Sequence, residues 1–67
     1  MAVARVTRVT ASSRESFQDA VTKGLERANK TLRGVSGLEI ISQKAKIESG
    51  KISEYRVTMD ITFILEE

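Results

Sequence analysis

SSRESFQDAVTKGLERANKTLRGV, residues 12–35, is the stretch that decides the fold, because it has the pattern of one amphipathic helix. Its apolar residues recur at the spacing that places them on a single helix face. Those residues are Phe17, Ala20, Val21, Gly24, Leu25, Ala28, Leu32 and Val35. Charged side chains occupy most of the opposite face. The pattern predicts a helix over residues 12–35 whose apolar face the rest of the chain must cover.

The ends of this predicted helix carry capping signals. Ser12 or Ser13 is expected to cap its start, and Ser12 with Glu15 fits a capping box. Gly34 and Gly37 mark its stop. A further glycine, Gly24, lies at mid-helix on the apolar face, where it costs roughly 1 kcal/mol relative to alanine. We therefore expect the backbone of a strand to approach the helix closely at that glycine.

Three segments outside the helix have strand patterns. Residues 3–10 are rich in β-branched side chains, and residues 38–47 and 52–66 follow the helix, joined by a glycine-containing hairpin turn at 48–51. The chain therefore predicts a single α+β domain, residues 1–67, with the order strand–helix–strand–strand. A three-stranded antiparallel sheet would wrap the one helix.

The apolar pattern of the last two strands predicts their local geometry. The second strand changes phase at Ile40 and Ile41, which indicates a bulge or an apolar set facing another subunit. In the third strand the odd-numbered residues should cover the helix, since they alternate with polar ones. They are Tyr55, Val57, Met59, Ile61, Phe63 and Leu65.

The third strand is too long for a compact domain of this size. About fourteen residues at roughly 3.3 Å each span some 45 Å, whereas a compact chain of this length has a diameter of roughly 28 Å. The strand must curl strongly around the helix or reach onto a neighbour. Ile64 and the open sheet edges would also be left uncovered in a monomer. A multi-subunit assembly is the expected solution.

The composition excludes several classes of protein. The 67 residues include no cysteine and no histidine, which removes disulfides, thiolate sites and the usual transition-metal ligands. The net charge is only +2, and the charges are interleaved. With three aromatic residues, a stacking platform for nucleic acid is not expected. The absence of an 18-residue apolar run and of a signal peptide in MAVARVTRVT predicts a cytoplasmic protein without membrane contact.

The sequence contains no recognisable catalytic constellation. A serine nucleophile requires a base, and histidine is absent, so we expect no enzyme activity. Lys44 and Lys46 lie two apart on one face of a strand, as edge protection or, alternatively, as a phosphate or nucleotide patch. Acidic residues could bind calcium or magnesium only if symmetry brought copies together, and no metal site is predicted. Those residues are Glu39, Glu48, Glu54 and Asp60.

The whole chain resembles the dodecins, small bacterial and archaeal flavoproteins. The resemblance lies in the order and spacing of TASSRESFQDAV, RANKTLRGVSGLEI and EYRVTMDITFILEE. It implies a hollow homo-dodecamer with tetrahedral symmetry that stores flavins such as riboflavin, lumichrome or FMN. In flavin-binding dodecins, paired ligands at two-fold contacts stack on a Trp just after the helix. A Gln nineteen residues later hydrogen-bonds the pyrimidine edge of the flavin ring.

This chain departs from the dodecin pattern at both positions. Gly37 replaces the Trp, which removes stacking worth about 1–3 kcal/mol per ring. Arg56 replaces the Gln and can only donate hydrogen bonds. Arg56 could instead hold a phosphate or carboxylate, or form an inter-subunit salt bridge with Glu39 or Glu54. If the side chain of Leu38 or of Arg56 fills the volume beside position 37, the site is closed.

The candidate cofactor-binding residues are therefore Gly37, Leu38 and Arg56. The resemblance and its departures together predict a dodecin-like storage shell for a small planar or anionic ligand. Its affinity for riboflavin or FMN is predicted to be weakened or lost. The alternative is a flavin-free dodecameric assembly with a structural, ion-binding or partner-binding role.

Overall fold

The computed structural model describes residues 3–65 and confirms the predicted order of elements. These are β1 (Val3–Ser13), α1 (Phe17–Thr31), β2 (Val35–Glu48) and β3 (Lys51–Leu65). The strands form one antiparallel sheet in the order β1-β3-β2, so β3 is central. The helix packs mainly against β1 and β3. Glu66, the last residue of the predicted third strand, lies outside the described residues.

The helix begins later than the sequence predicts. Its N-cap is Ser16, whose hydroxyl accepts a hydrogen bond from the backbone N–H of Asp19 at 2.9 Å. The predicted cap at Ser12 or Ser13, and the capping box with Glu15, were wrong. Both serines belong instead to β1, which continues three residues beyond the predicted end because it pairs with β3.

Ser13 supports the helix start from outside the helix. Its side chain is buried, accepts a hydrogen bond from the backbone N–H of Glu15 at 2.9 Å and donates one to the carboxylate of Asp19 at 2.6 Å. This hydrogen bond, together with Lys23 at 3.1 Å, lowers the pKa of Asp19. The carboxylate also lies in the first helical turn, where negative charge is favourable.

Ser16→Ala is expected to lower the free energy of unfolding by about 1 kcal/mol, because the Asp19 N–H loses its acceptor. Ser12→Ala is the matched control, since Ser12 is exposed and should cost less than about 0.5 kcal/mol. Urea unfolding at one fixed protein concentration measures both. Equal losses in the two variants would contradict the assignment of the cap.

The helix also ends earlier than predicted. The C-cap is Leu32, whose N–H donates to the carbonyl of Ala28 at 2.8 Å. Gly34 then takes a positive φ of 72°, a conformation that glycine adopts without strain. It therefore marks the exit as predicted. Gly37 is not part of the stop, which corrects the prediction, because it lies within β2 opposite Thr62.

The core forms where the middle odd-numbered residues of β3 meet the helix, as predicted. Val57, Met59 and Ile61 are fully buried against Ala20 and Ala28. Leu65, which was predicted to cover the helix as well, is 39% exposed. The predicted bulge is confirmed by a register shift in β2 between residues 40 and 42. The predicted hairpin turn is also confirmed, with positive φ at both central residues, 49 and 50, as in a tight two-residue turn.

The close approach at Gly24 involves side chains and not a strand backbone, which corrects the prediction. A Cβ at this position would lie 2.8 Å from Cε of Met59 and 3.2 Å from Cβ of Ala11. Real Cβ atoms do not approach other heavy atoms as closely as the first of these distances. Glycine therefore allows the end of the Met59 side chain to lie against the helix.

The β2–β3 ribbon extends beyond the rest of the molecule. The described chain measures 52 × 19 × 13 Å with a radius of gyration of 13.8 Å, against about 11 Å for a compact chain of this length. β1 ends at the Ser13–Tyr55 pair, so residues 46–54 continue as a two-stranded ribbon. Ile47 and Ile52 face each other there and are about half exposed.

Candidate ligand-binding site

The sheet has an outer face, defined here as the face opposite α1. The even-numbered residues of β3 lie on it, because Val57, Met59 and Ile61 are buried on the helix side and successive side chains alternate between the two faces. The strand register then assigns residues of β1 and β2 to the same face. From the projecting ribbon toward the helix exit, the rows on β2 and β3 are Lys44–Arg56, Ser42–Thr58, Glu39–Asp60 and Gly37–Thr62.

Gly37 leaves an open volume on the outer face. A Cβ built at this position meets no heavy atom within 4 Å among the described residues, and its φ is not in the left-handed region. Neither crowding nor backbone conformation therefore requires glycine here. Glycine inside a strand weakens the strand and often allows close approach of a ligand or another backbone.

The side chain of Leu38 lies on the other face of the sheet. It pairs with Ile61, is half buried and packs against the core. Leu38 therefore does not fill the space beside Gly37 within one chain. Of the two residues that could close the site, only Arg56 has a side chain on the same face as that space.

Arg56 lies on the outer face and is exposed. It is paired with Ser12 on β1 and Lys44 on β2. Its Nη2 donates to Oε1 of Glu54 at 2.7 Å. The salt bridge to Glu54 that the sequence suggested between subunits therefore forms within one chain, while Glu39 lies opposite Asp60.

Gly37 and Arg56 are not brought together within one chain. The partner of Gly37 on β3 is Thr62, six residues from Arg56, and six strand residues span roughly 20 Å. A flavin-sized molecule cannot contact both positions of the same chain. A site that uses both residues must therefore combine two copies.

An ion pair that the sequence analysis did not find lies between these two positions. Arg8 holds Asp60 through two hydrogen bonds, Nε to Oδ1 at 2.7 Å and Nη2 to Oδ2 at 3.1 Å. The hydrogen bond from Arg8 is the main cause that lowers the pKa of Asp60, and its positive charge adds to the effect. The alternating pattern of each strand predicts that Arg8 and Asp60 point away from the helix. Only the strand register shows that they lie opposite each other.

Acid should lower the free energy of unfolding, because protonation of Asp60 removes its ion pair with Arg8. The lowered pKa of Asp60 means that its contribution is present above its unfolded pKa, about 3.9, and is lost as pH falls through the lower folded value. The stability difference between wild type and Asp60→Asn should therefore shrink from pH 5 toward pH 2. Urea unfolding across that range measures it.

Arg8→Gln is the reciprocal control, because it removes the same ion pair from the other side. The double variant should then lose little more than either single variant. If Asp60→Asn keeps the full acid dependence of the wild type, the ion pair does not contribute in this way.

The described residues hold neither a metal-binding cluster nor a membrane-spanning helix. Within residues 3–65 no three acidic side chains lie close enough together to hold a metal ion. The 15-residue helix is neither long nor apolar enough to cross a membrane.

These features define a small α+β protein whose central strand extends beyond its helix. The outer face of its sheet is open and charged. A sequence model of the dodecin family matches residues 3–66. The dodecin of Thermus thermophilus is 34% identical over 56 residues, which cover 84% of this chain and 81% of that protein. The chain belongs to the dodecin family.

Solved structures agree with this assignment. The dodecin of Streptomyces coelicolor superposes with a TM-score of 0.92 at 32% identity, covering 98% of this chain and 94% of that one. A calcium dodecin from Mycobacterium tuberculosis, described as having a novel calcium-binding site, superposes with a TM-score of 0.81 at 25% identity. The match covers 96% of this chain and 91% of the calcium dodecin.

Proposed function

We propose that this protein is a non-catalytic, homo-oligomeric shell of dodecin type that binds a small planar or anionic ligand. Its affinity for riboflavin and FMN is weak or absent. The observation that carries the proposal is the open volume at Gly37, on the same sheet face as Arg56. The fold is that of the dodecins, and the family resemblance implies a Trp and a Gln where this chain has Gly37 and Arg56.

The exposed apolar surface supports assembly with further copies. A two-stranded ribbon is marginally stable by itself in water, yet residues 46–54 extend beyond β1. Exposed large apolar side chains lie along β2, in the ribbon, in the first part of β1 and at the C-terminal end of β3. Docking of other chains would cover these side chains and the open edges of β1 and β2. Twelve copies is the number that the family resemblance implies.

The chemistry of the two replaced positions supports weak flavin binding. Without a ring at position 37, the ligand loses stacking energy of about 1–3 kcal/mol. A guanidinium at position 56 cannot accept a hydrogen bond from the ring N–H of a flavin. Because the two positions are roughly 20 Å apart in one chain, a ligand that contacts both would lie where two copies meet.

A calcium-binding shell without flavin is the second candidate. The similarity to the calcium dodecin from M. tuberculosis favours this candidate. The pairing of two carboxylate residues, Glu39 and Asp60, on the outer face also favours it. Calcium takes six to eight oxygen ligands, so further copies would have to contribute. The engagement of Asp60 by Arg8 weighs against this candidate.

Titration with riboflavin and FMN, followed by quenching of flavin fluorescence, tests the main proposal. We expect dissociation constants weaker than micromolar for both flavins. A submicromolar value for either would overturn the weak-affinity part. Calcium titration by calorimetry on the same preparation tests the alternative, which requires saturable binding that Glu39→Gln reduces.

A further inference from the structure

The outer face of the sheet carries a concentration of positive charge where its three-stranded part meets the β2–β3 ribbon. Lys44 lies directly opposite Arg56 in the register, and Lys46 follows two residues later on the same face. Residues directly opposite each other have Cβ atoms about 5 Å apart. The three cations line one depression of about 370 Å³ together with Ala45 and Glu54. We call Lys44, Lys46 and Arg56 the basic patch.

The basic patch contains a row of charges that is not balanced. Like charges directly opposite each other destabilise a strand pair, and Lys44–Arg56 is such a pair. The residue of β1 in the same row is Ser12, which is neutral. The other rows with charges on two or more strands combine both signs: Arg8 with Asp60 and Glu39, Lys46 with Glu54, and Lys51 with Glu48.

The cations of the patch are little engaged within the chain. Among residues 3–65, Lys44 and Lys46 form no salt bridge, and Arg56 pairs only with Glu54, through Nη2. The Arg56 side chain is 55% exposed, and ion pairs this exposed contribute little. A ligand anion can therefore compete for the guanidinium.

We propose that the basic patch binds the phosphate or carboxylate group of a small ligand. The planar fork of Arg56 suits a bidentate contact with such a group, and the lysine ammonium groups supply mobile charges around it. This inference deepens the proposed function, because Arg56 belongs to both sites. It requires no flavin, since the patch is complete within one chain. The ligand is a free oxyanion or one carried by a larger planar molecule.

Calorimetric titration at low ionic strength with inorganic phosphate, riboflavin and FMN tests this inference. Lys44→Gln and Arg56→Gln should each weaken phosphate binding about tenfold, the loss of one charge-assisted hydrogen bond. Arg56→Lys should be intermediate, because it keeps the charge and loses the fork. The matched control Lys30→Gln removes the same charge from the exposed end of α1 and should change affinity less than about twofold. Far-UV circular dichroism checks that every variant is folded.

The outcomes separate this inference from the proposed function. Binding of phosphate that the patch variants selectively weaken supports the inference, and weak riboflavin binding beside it supports both. Tight riboflavin binding together with patch-dependent phosphate binding supports the inference and overturns the proposed weak flavin affinity. If FMN binds more tightly than inorganic phosphate, the ligand is an oxyanion carried by a planar ring system and not a free oxyanion. No phosphate binding, or equal losses in Lys44→Gln and Lys30→Gln, overturns the inference.

Discussion

Met59→Ala is expected to lower the free energy of unfolding by about 2–5 kcal/mol. Met59 is fully buried at the centre of β3, between Val9 on β1 and Ile40 on β2. Removal of its thioether leaves a cavity against the helix at Gly24. A 67-residue domain has a total stability of roughly 3–10 kcal/mol, so this loss is a large part of the whole.

Met59→Leu is the matched control, because it conserves volume and should cost less than about 1.5 kcal/mol. Urea unfolding at a single protein concentration measures both variants, since assembly is linked to folding. A loss below 1 kcal/mol for Met59→Ala would contradict the central position of this side chain.

The contact between Met59 and Gly24 can be tested by a double-mutant cycle. An alanine Cβ at position 24 would lie 2.8 Å from Cε of Met59, so Gly24→Ala alone must displace that side chain. In the Met59→Ala background the same methyl group partly fills the cavity and gains helix propensity. The two changes should therefore be less destabilising together than their sum, by about 0.5–3 kcal/mol. Simple additivity would show that the two residues do not share this space.

The second large effect is expected for flavin binding. Gly37→Trp combined with Arg56→Gln should raise the affinity for riboflavin between about fivefold and 150-fold, the equivalent of one stacked ring. The gain for FMN should be smaller, because its phosphate loses the contact with Arg56. The tryptophan has room, because a Cβ at position 37 meets no heavy atom of the described residues within 4 Å. Glutamine adds both a donor and an acceptor for the pyrimidine edge. Quenching of flavin fluorescence measures the gain.

Gly37→Ala combined with Arg56→Gln is the matched control. It adds a side chain to the open volume at position 37 but no aromatic ring on which a flavin can stack. This control should gain much less affinity, since a methyl group offers no ring face. If the tryptophan variant keeps its oligomeric state and gains no affinity, position 37 does not line the ligand site.

The sequence predicts the parts of the fold that depend on local periodicity. The alternation of apolar residues along β3 identified the face that is buried at residues 57–61, although Leu65 at its end is exposed. The phase change at Ile40 and Ile41 located the bulge. The cap at Ser16, which the sequence analysis did not consider, could not be located from local sequence alone. It depends on β1 remaining paired with β3 as far as Tyr55, which extends the strand through Ser12 and Ser13 and leaves Ser16 as the cap.

The candidate site was only partly predictable for the same reason. Alternation alone places Arg56 away from the helix, but the sequence spacing between Gly37 and Arg56 contains a hairpin and register shifts. Their separation of roughly 20 Å therefore required the strand register. Two further cross-strand pairs could not be predicted without the register, because their members are far apart in the chain. They are Arg8–Asp60 and Lys44–Arg56.

We expect this chain to form a dodecin-type shell that retains little or no flavin. Native mass spectrometry of freshly purified protein tests both parts in one spectrum. We predict a species of twelve times 7.4 kDa, about 89 kDa, without added mass in flavin-sized steps. A monomer or dimer would contradict the assembly, and a twelve-chain species carrying flavin-sized additions would contradict the weak affinity.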